Sequence, residues 1–288
     1  MKVTGAALPF LPLCQRLLPT RLAGLSVALL KATALEIAIL AGHLLLYPSG
    51  IVQERRGPLS PLPVPQGTAQ LPTEAKPPVV LLHGFIDNRS VFLLLRRSLA
   101  QHGRQRIESL NYSPLTCDIR TAAELLGRHI EEICARTGSD RVDIVGHSLG
   151  GLIARYYVQR LGGDLRVRTL VTLGTPHAGT RVAPLANAHP IVRQMRPGSE
   201  LLTELTRPAP GCRTHFVSFW SDLDHLMDPL ETACIEHPDL SAENVRVSGV
   251  GHLALPVHPA VATGIRQVLD TARTAAEAVP RATGLTVA

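Results

Sequence analysis

The chain has 288 residues, 45% of them hydrophobic and 3% aromatic, with a formal net charge of +6. One sizeable core fits that length. Residues 1–56 hold six basic and two acidic side chains and the remainder 23 and 21, so the bulk of the chain is nearly neutral, which argues against a nucleic-acid partner.

The first element is an apolar stretch from Leu22 to Tyr47. Its 26 residues exceed the roughly 20 needed to cross a bilayer. Lys31 and Glu36 oppose a span, because a charge near its centre costs roughly 2.5–3.5 kcal/mol. Lys2, Arg16 and Arg21 precede the stretch without an acid, whereas Glu54 offsets Arg55 and Arg56. That bias keeps the amino terminus in the cytoplasm and exports the rest. Residues 1–56 are therefore read as an anchor on the outer face of the cytoplasmic membrane. A signal segment leading to secretion and a helix packed on the domain are the alternatives. Seven prolines follow among the 24 residues RRGPLSPLPVPQGTAQLPTEAKPP, which makes 57–76 a linker.

A domain is expected over 77–278, with a tail at 279–288. PVVLLHGF reads as a strand buried on both faces, followed by a helix near 90–101 and a strand in RQRIESLNYS. Leu125, Leu126, Ile130 and Ile133 give 119–137 a helical face. RVDIVGHS is the next strand, leading into a helix over 149–161. Further strands are expected in VRTLVTLGTPH, THFVSFWS and NVRVSGV. A helix over 259–276 closes the domain, with Val261, Ile265, Val268 and Leu269 on one face. This alternation argues an α/β fold with a mainly parallel sheet of about six strands, flanked by helices on both faces. Function gathers at the carboxyl ends of such strands. Cys117 and Cys134 flank a helix, stand roughly 25 Å apart and cannot pair. A Cys212–Cys234 disulfide is geometrically feasible and would mark an oxidising compartment; unpaired, the cysteines are small apolar residues.

The candidate chemistry lies at those strand ends. In DIVGHSLGGLIARYY, Ser148 sits in G-x-S-x-G between a strand and a helix, a corner that exposes the hydroxyl and crowds its neighbours so that glycines are needed. A serine hydroxyl needs a base to take its proton. Of 12 histidines, His252 in RVSGVGHLALP follows a strand far from Ser148 and is preferred over His83, His147, His177, His225 and His258. His147 is locked beside the serine, and His177 suits loop packing. An anion must sit behind the imidazolium. Asp224 in FWSDLDHLMDP is preferred, with Asp222 and Asp228 as rivals. An oxyanion needs two donors, for which the N–H of Leu149 and that of Phe85, aimed by the Gly84 turn, are the candidates. No H-E-x-x-H, clustered Cys–His spacing or phosphate-binding glycine loop is present, so neither catalytic metal nor nucleotide is expected.

Together VVLLHGF, DIVGHSLGGLIARYY, TLVTLGTPHAGT, SFWSDLDHLMDP and VSGVGHLAL resemble the bacterial lipases and esterases of the α/β-hydrolase family, of the compact, minimal type. They span about 79–258. The resemblance implies the α/β-hydrolase fold and hydrolysis of carboxylic esters of fatty acids, triacylglycerol among them, without a cofactor. It implies Ser148, Asp224 and His252 as a triad, Phe85 and Leu149 as oxyanion donors, and association with lipid surfaces. In such lipases the segment equivalent to 178–206 often covers the site. Ile191, Val192, Met195, Leu201, Leu202 and Leu205 would then face lipid, unless these helices simply cover the sheet. Acyl transfer or thioester hydrolysis on the same fold, and a non-catalytic membrane-tethered binding protein, are the competing readings.

Overall fold

The computed structural model describes residues 27–51, 76–85, 87–113, 117–182 and 189–277. The proline-rich linker up to Ala75, the tail 279–288 and Cys14 lie outside the described residues. Six short runs of apolar sequence pair side by side, all in parallel, in the order β2-β1-β3-β4-β5-β6. They are β1 Val79–Leu82, β2 Ile107–Leu110, β3 Val142–His147, β4 Val167–Leu173, β5 His215–Ser221 and β6 Ser241–Val247. The expected strand in NVRVSGV begins earlier and ends sooner than its apolar letters suggest. At the sheet edge its residues are mostly exposed, so the alternation that marks a strand is weak there.

Side-chain alternation along the strands divides the core in two. Val80 and Leu82 of β1 face α3 (Ile119–Thr137) and α4 (Leu149–Arg160), against Leu126, Ile130, Leu152 and Ile153. Val79 and Leu81 face α2 (Leu93–Gln101) and α7 (Pro259–Glu277), against Leu95, Leu99, Ile265 and Leu269. Each fully buried aliphatic side chain contributes roughly 1.5–3 kcal/mol. The α3 helix starts where the Asp118 side chain accepts from the Thr121 N–H, and it stops at Gly138, which is left-handed. Polar strand ends are tied as well. Asp143, in β3 and fully buried, accepts from Arg104 at 3.0 Å and from both Nε and Nη2 of Arg168 at 2.9 and 2.6 Å. Both guanidinium groups also donate to the Leu269 carbonyl of α7. One carboxylate thus joins two strands to the closing helix.

Two short helices, α5 (Pro190–Gln194) and α6 (Glu200–Leu205), follow β4. Of the two readings of their apolar face, the structure shows the one that covers the sheet: Ile191, Val192, Met195, Leu201, Leu202 and Leu205 all pack with the α3–α4 cluster. The helices cover the sheet because their apolar spacing matches that face. Residues 183–188 lie outside the described residues. Cys212 and Cys234 are free thiols.

The apolar stretch forms α1, Val27–Ile51. Among the described residues no helix is long and apolar enough to cross a membrane. The α1 helix lies against the domain along Glu36, Ile39 and His43, which are half-buried, while Ile37, Leu44 and Leu45 on the far side are 64, 66 and 83% exposed. The Asn88 side chain donates to the Tyr47 carbonyl at 2.8 Å and that of Asn111 to the Gly50 carbonyl at 2.6 Å.

Replacing Asp143 by Ala removes the buried carboxylate that two guanidinium groups share, leaving Arg104 with the Leu269 carbonyl and Asp270, and Arg168 with that carbonyl. The expected loss is about 3–5 kcal/mol, read from urea unfolding of the variant against the parent protein.

Candidate active site

The strand β3 ends at His147 and α4 begins at Leu149, leaving Ser148 alone to make the turn. Its φ of 52° and ψ of −119° lie in territory that side chains avoid, and among the described residues it is the only non-glycine with positive φ. Such a conformation costs of order 1–3 kcal/mol and persists only when the surroundings enforce it. Here the Ser148 N–H donates to the Leu173 carbonyl at 2.9 Å, and its own carbonyl accepts from Thr175 Oγ1 at 2.9 Å. The corner also demands closeness: a Cβ on Gly150 would stand 2.3 Å from the Leu82 carbonyl oxygen. Leu149 opens α4, so its N–H has no acceptor within the helix.

His252 arrives in the loop after β6, and its Nδ1 donates to Asp224 Oδ2 at 2.8 Å. Both side chains are buried, and Asp224 Oδ1 accepts from the Leu226 N–H at 3.0 Å. The rival Asp222 is occupied elsewhere, accepting from Arg246 Nη2 at 3.0 Å and from the Gly249 N–H at 2.9 Å. Asp228 and His225 are exposed. Burial opposes the imidazolium, but the Asp224 charge and hydrogen bond, then Asp87 and Glu36, raise the His252 pKa above its ordinary 6.5.

Phe85, in the loop after β1, lines one cleft of about 160 Å³ together with Ser148 and His252. Val182, Met195, Leu226, Met227 and Leu253 add to its wall. This concave, largely apolar pocket ends on a few polar groups, as ligand sites do. The structure therefore brings Phe85, Ser148, Leu149, Asp224 and His252 to one place, on the carboxyl side of the sheet. His177 is buried away from the cleft, its Nε2 at 2.9 Å from Thr172 Oγ1. His83 is buried and stacked on Tyr112 at 4.3 Å.

Sequence reasoning passed over Asp87. It is buried beside the cleft, with the Nδ1 atoms of His147 and His43 each at 3.4 Å from its carboxylate. Burial works against that charge, yet the His147 and His43 rings hold the carboxyl well below the usual range. His147 in turn donates from Nε2 to the His252 carbonyl at 3.2 Å, with the two rings 4.8 Å apart. The only local signal for Asp87 is an acid shortly after the HG turn.

A family model described as the α/β-hydrolase fold matches residues 77–207. With the six parallel strands and the strand–serine–helix corner, that decides the class. The chain has the α/β-hydrolase fold. Over 114 residues it is 32% identical to a triacylglycerol lipase of Pseudarthrobacter phenanthrenivorans, covering 37% of this chain and 35% of that one. A triacylglycerol lipase of Burkholderia plantarii matches at 32% over 114 residues, 37% of this chain and 31% of its own. The chain thus spans about a third of the length of the curated relatives it matches. In fold it is similar to the mature Bacillus licheniformis lipase, with a TM-score of 0.58, 16% identity, and coverage of 70% of this chain and 96% of that one. Aspergillus fumigatus lipase B superposes with a TM-score of 0.53 at 19% identity, over 60% of this chain and 45% of its own.

Since Asp224 is the main anion raising His252, Asp224→Asn lowers the His252 pKa and Asp222→Asn leaves it in place. An NMR titration of the histidine ring signals reads the difference directly.

Proposed function

We propose that this hydrolase cleaves carboxylic esters of fatty acids through an acyl-enzyme on Ser148. The observation that carries the reading is the His252–Asp224 pair opening on the same apolar cleft as a serine held in a strained corner. In this mechanism Ser148 Oγ attacks the ester carbonyl carbon while His252 Nε2 takes its proton. Asp224 keeps the Nδ1 proton of His252 in place, which fixes the tautomer and stabilises the imidazolium. The carbonyl oxygen becomes an oxyanion, and the Phe85 and Leu149 N–H groups stabilise it. The tetrahedral adduct collapses, His252 returns the proton to the departing alcohol, and the acyl group stays on Ser148. Water, deprotonated by His252, then releases the fatty acid. Leu226, Met227, Met195 and Phe85 give the acyl chain an apolar wall. The names of the relatives support triacylglycerol as a substrate.

The enzyme works in this reading at a lipid surface outside the cytoplasm. Support comes from the exposed apolar side of α1, with Val182 and Leu226 exposed at the cleft, and from the basic flank of the amino-terminal segment.

Wild-type protein is expected to label with a fluorophosphonate and to hydrolyse p-nitrophenyl esters, with Ser148→Ala losing roughly 10⁴-fold or more. Absence of labelling in the wild type sinks the reading. Thioester turnover well above ester turnover reassigns the substrate.

Neutral His252 is the form that accepts a proton, so kcat/KM is expected to fall as pH drops through its raised pKa. The acid limb lies above 6.5, the ordinary histidine value, in a pH profile on a soluble ester.

A further inference from the structure

The one acid in the described part of α1 is not spent on solvent. Glu36 Oε2 accepts from the Leu253 N–H and Oε1 from the Ala254 N–H, each at 2.9 Å. Those are the two peptide groups immediately after His252. The approach is close: a Cβ on Gly251 would stand 2.4 Å from Glu36 Cδ, so a side chain there would push the carboxylate aside. One heptad further along the same helix face, His43 sits at 3.4 Å from Asp87, whose other oxygen lies at 3.4 Å from His147. His147 holds the His252 carbonyl. The backbone of the histidine loop is therefore gripped from both sides, at its carbonyl by His147 and at its next two N–H groups by a carboxylate 217 residues away.

We propose that Glu36 is a positioning residue for His252, and that α1 acts as a clamp on the histidine loop. This rests on the reading of Ser148 and His252 given above. Three features carry it. A carboxylate receiving two charge-assisted hydrogen bonds is a strong and directional tie. The tie lands on the residue next to the imidazole that must stay aligned with Ser148, where displacements of an ångström cost orders of magnitude in rate. The helix places Glu36, Ile39 and His43 on one stripe, and with Gly42 these are its half-buried positions over residues 33–48. A carboxylate is costly inside an apolar helix unless it has partners. Here both oxygens have them. The groups that face His252 are Asp224 from the β5 end, Asp87 from the loop after β1, His147 from β3 and Glu36 from α1. Three of the four are acids, so removing the charge of Glu36 leaves Asp224 and Asp87 to hold the imidazolium.

The test compares the full chain with E36Q and E36A. Hydrogen exchange of the peptide covering 251–255 is expected to quicken about tenfold in E36A. On a soluble short-chain p-nitrophenyl ester, kcat is expected to fall about tenfold with KM within about twofold. E36Q, which keeps one acceptor oxygen and loses the charge, lies between the two in kcat and moves the acid limb of the pH profile downward. An NMR titration shows the same downward move of the His252 ring without any turnover. Unchanged exchange in E36A overturns the proposal, and so do unaltered kcat and pH profile in E36A and E36Q. If E36A loses its fold by circular dichroism, E36Q decides by the same measurements. A wild type that neither labels with fluorophosphonate nor turns over ester defeats the reading of Ser148 instead, while the exchange and ring titration still decide the clamp.

Discussion

The backbone corner at Ser148 is the constraint to which the rest of the site answers. A residue with a side chain is held at φ 52°, and nothing in the turn itself favours that. The conformation survives because β3 cannot move, being paired on both edges to β1 and β4, and because α4 is pressed onto the sheet by a buried aliphatic face. The local penalty of about 1–3 kcal/mol is small against that packing. Rigidity of the sheet is thus converted into a fixed hydroxyl position, and the loops from β1, β5 and β6 need only converge on it.

Convergence is achieved by polar contacts of a particular kind. At the amino ends of the strands Asp143 gathers Arg104, Arg168 and the Leu269 carbonyl. At the carboxyl ends Asp224, Asp87 and Glu36 each hold a histidine or its loop. Asp143, Asp224 and Glu36 each accept from at least two groups, and Asp87 lies 3.4 Å from two imidazole nitrogens, so the desolvation of each carboxylate is offset. Acids tie both ends of this sheet, whereas the middle is aliphatic.

Much of the fold was readable because its signals are local. Continuous apolar runs mark β1, β3 and β4, helical spacing marks α3 and α7, and the glycine pattern marks the corner. The β6 strand was misplaced by a few residues because an exposed edge carries no alternation. For α5 and α6 the sequence leaves lipid and the sheet as equal alternatives, because apolar spacing reports that a face is buried and not what buries it. At the site, Ser148 and His252 stand out by motif and by position. Asp224 was a choice among three aspartates, and only three-dimensional placement shows that Asp222 is taken by Arg246 and Gly249. Asp87 and Glu36 act across long sequence separations, which leave no periodicity to read. Glu36 did stand out as a charge within an apolar stretch, where it counted against a membrane span; its partners lie on the far end of the chain.

The edge position of β6 carries a further consequence. This strand pairs only with β5, exposes most of its residues, and leads directly into the loop that carries His252. Edge strands open at lower free energy than the centre of a sheet. A fluctuation that peels β6 away leaves the His252 loop to its ties with Asp224, His147 and Glu36 alone, and loosens the imidazole while Ser148 and the central strands stay folded. Heat would then silence this molecule before it melts it, and the silenced form would regain its chemistry on cooling by re-zipping a single strand.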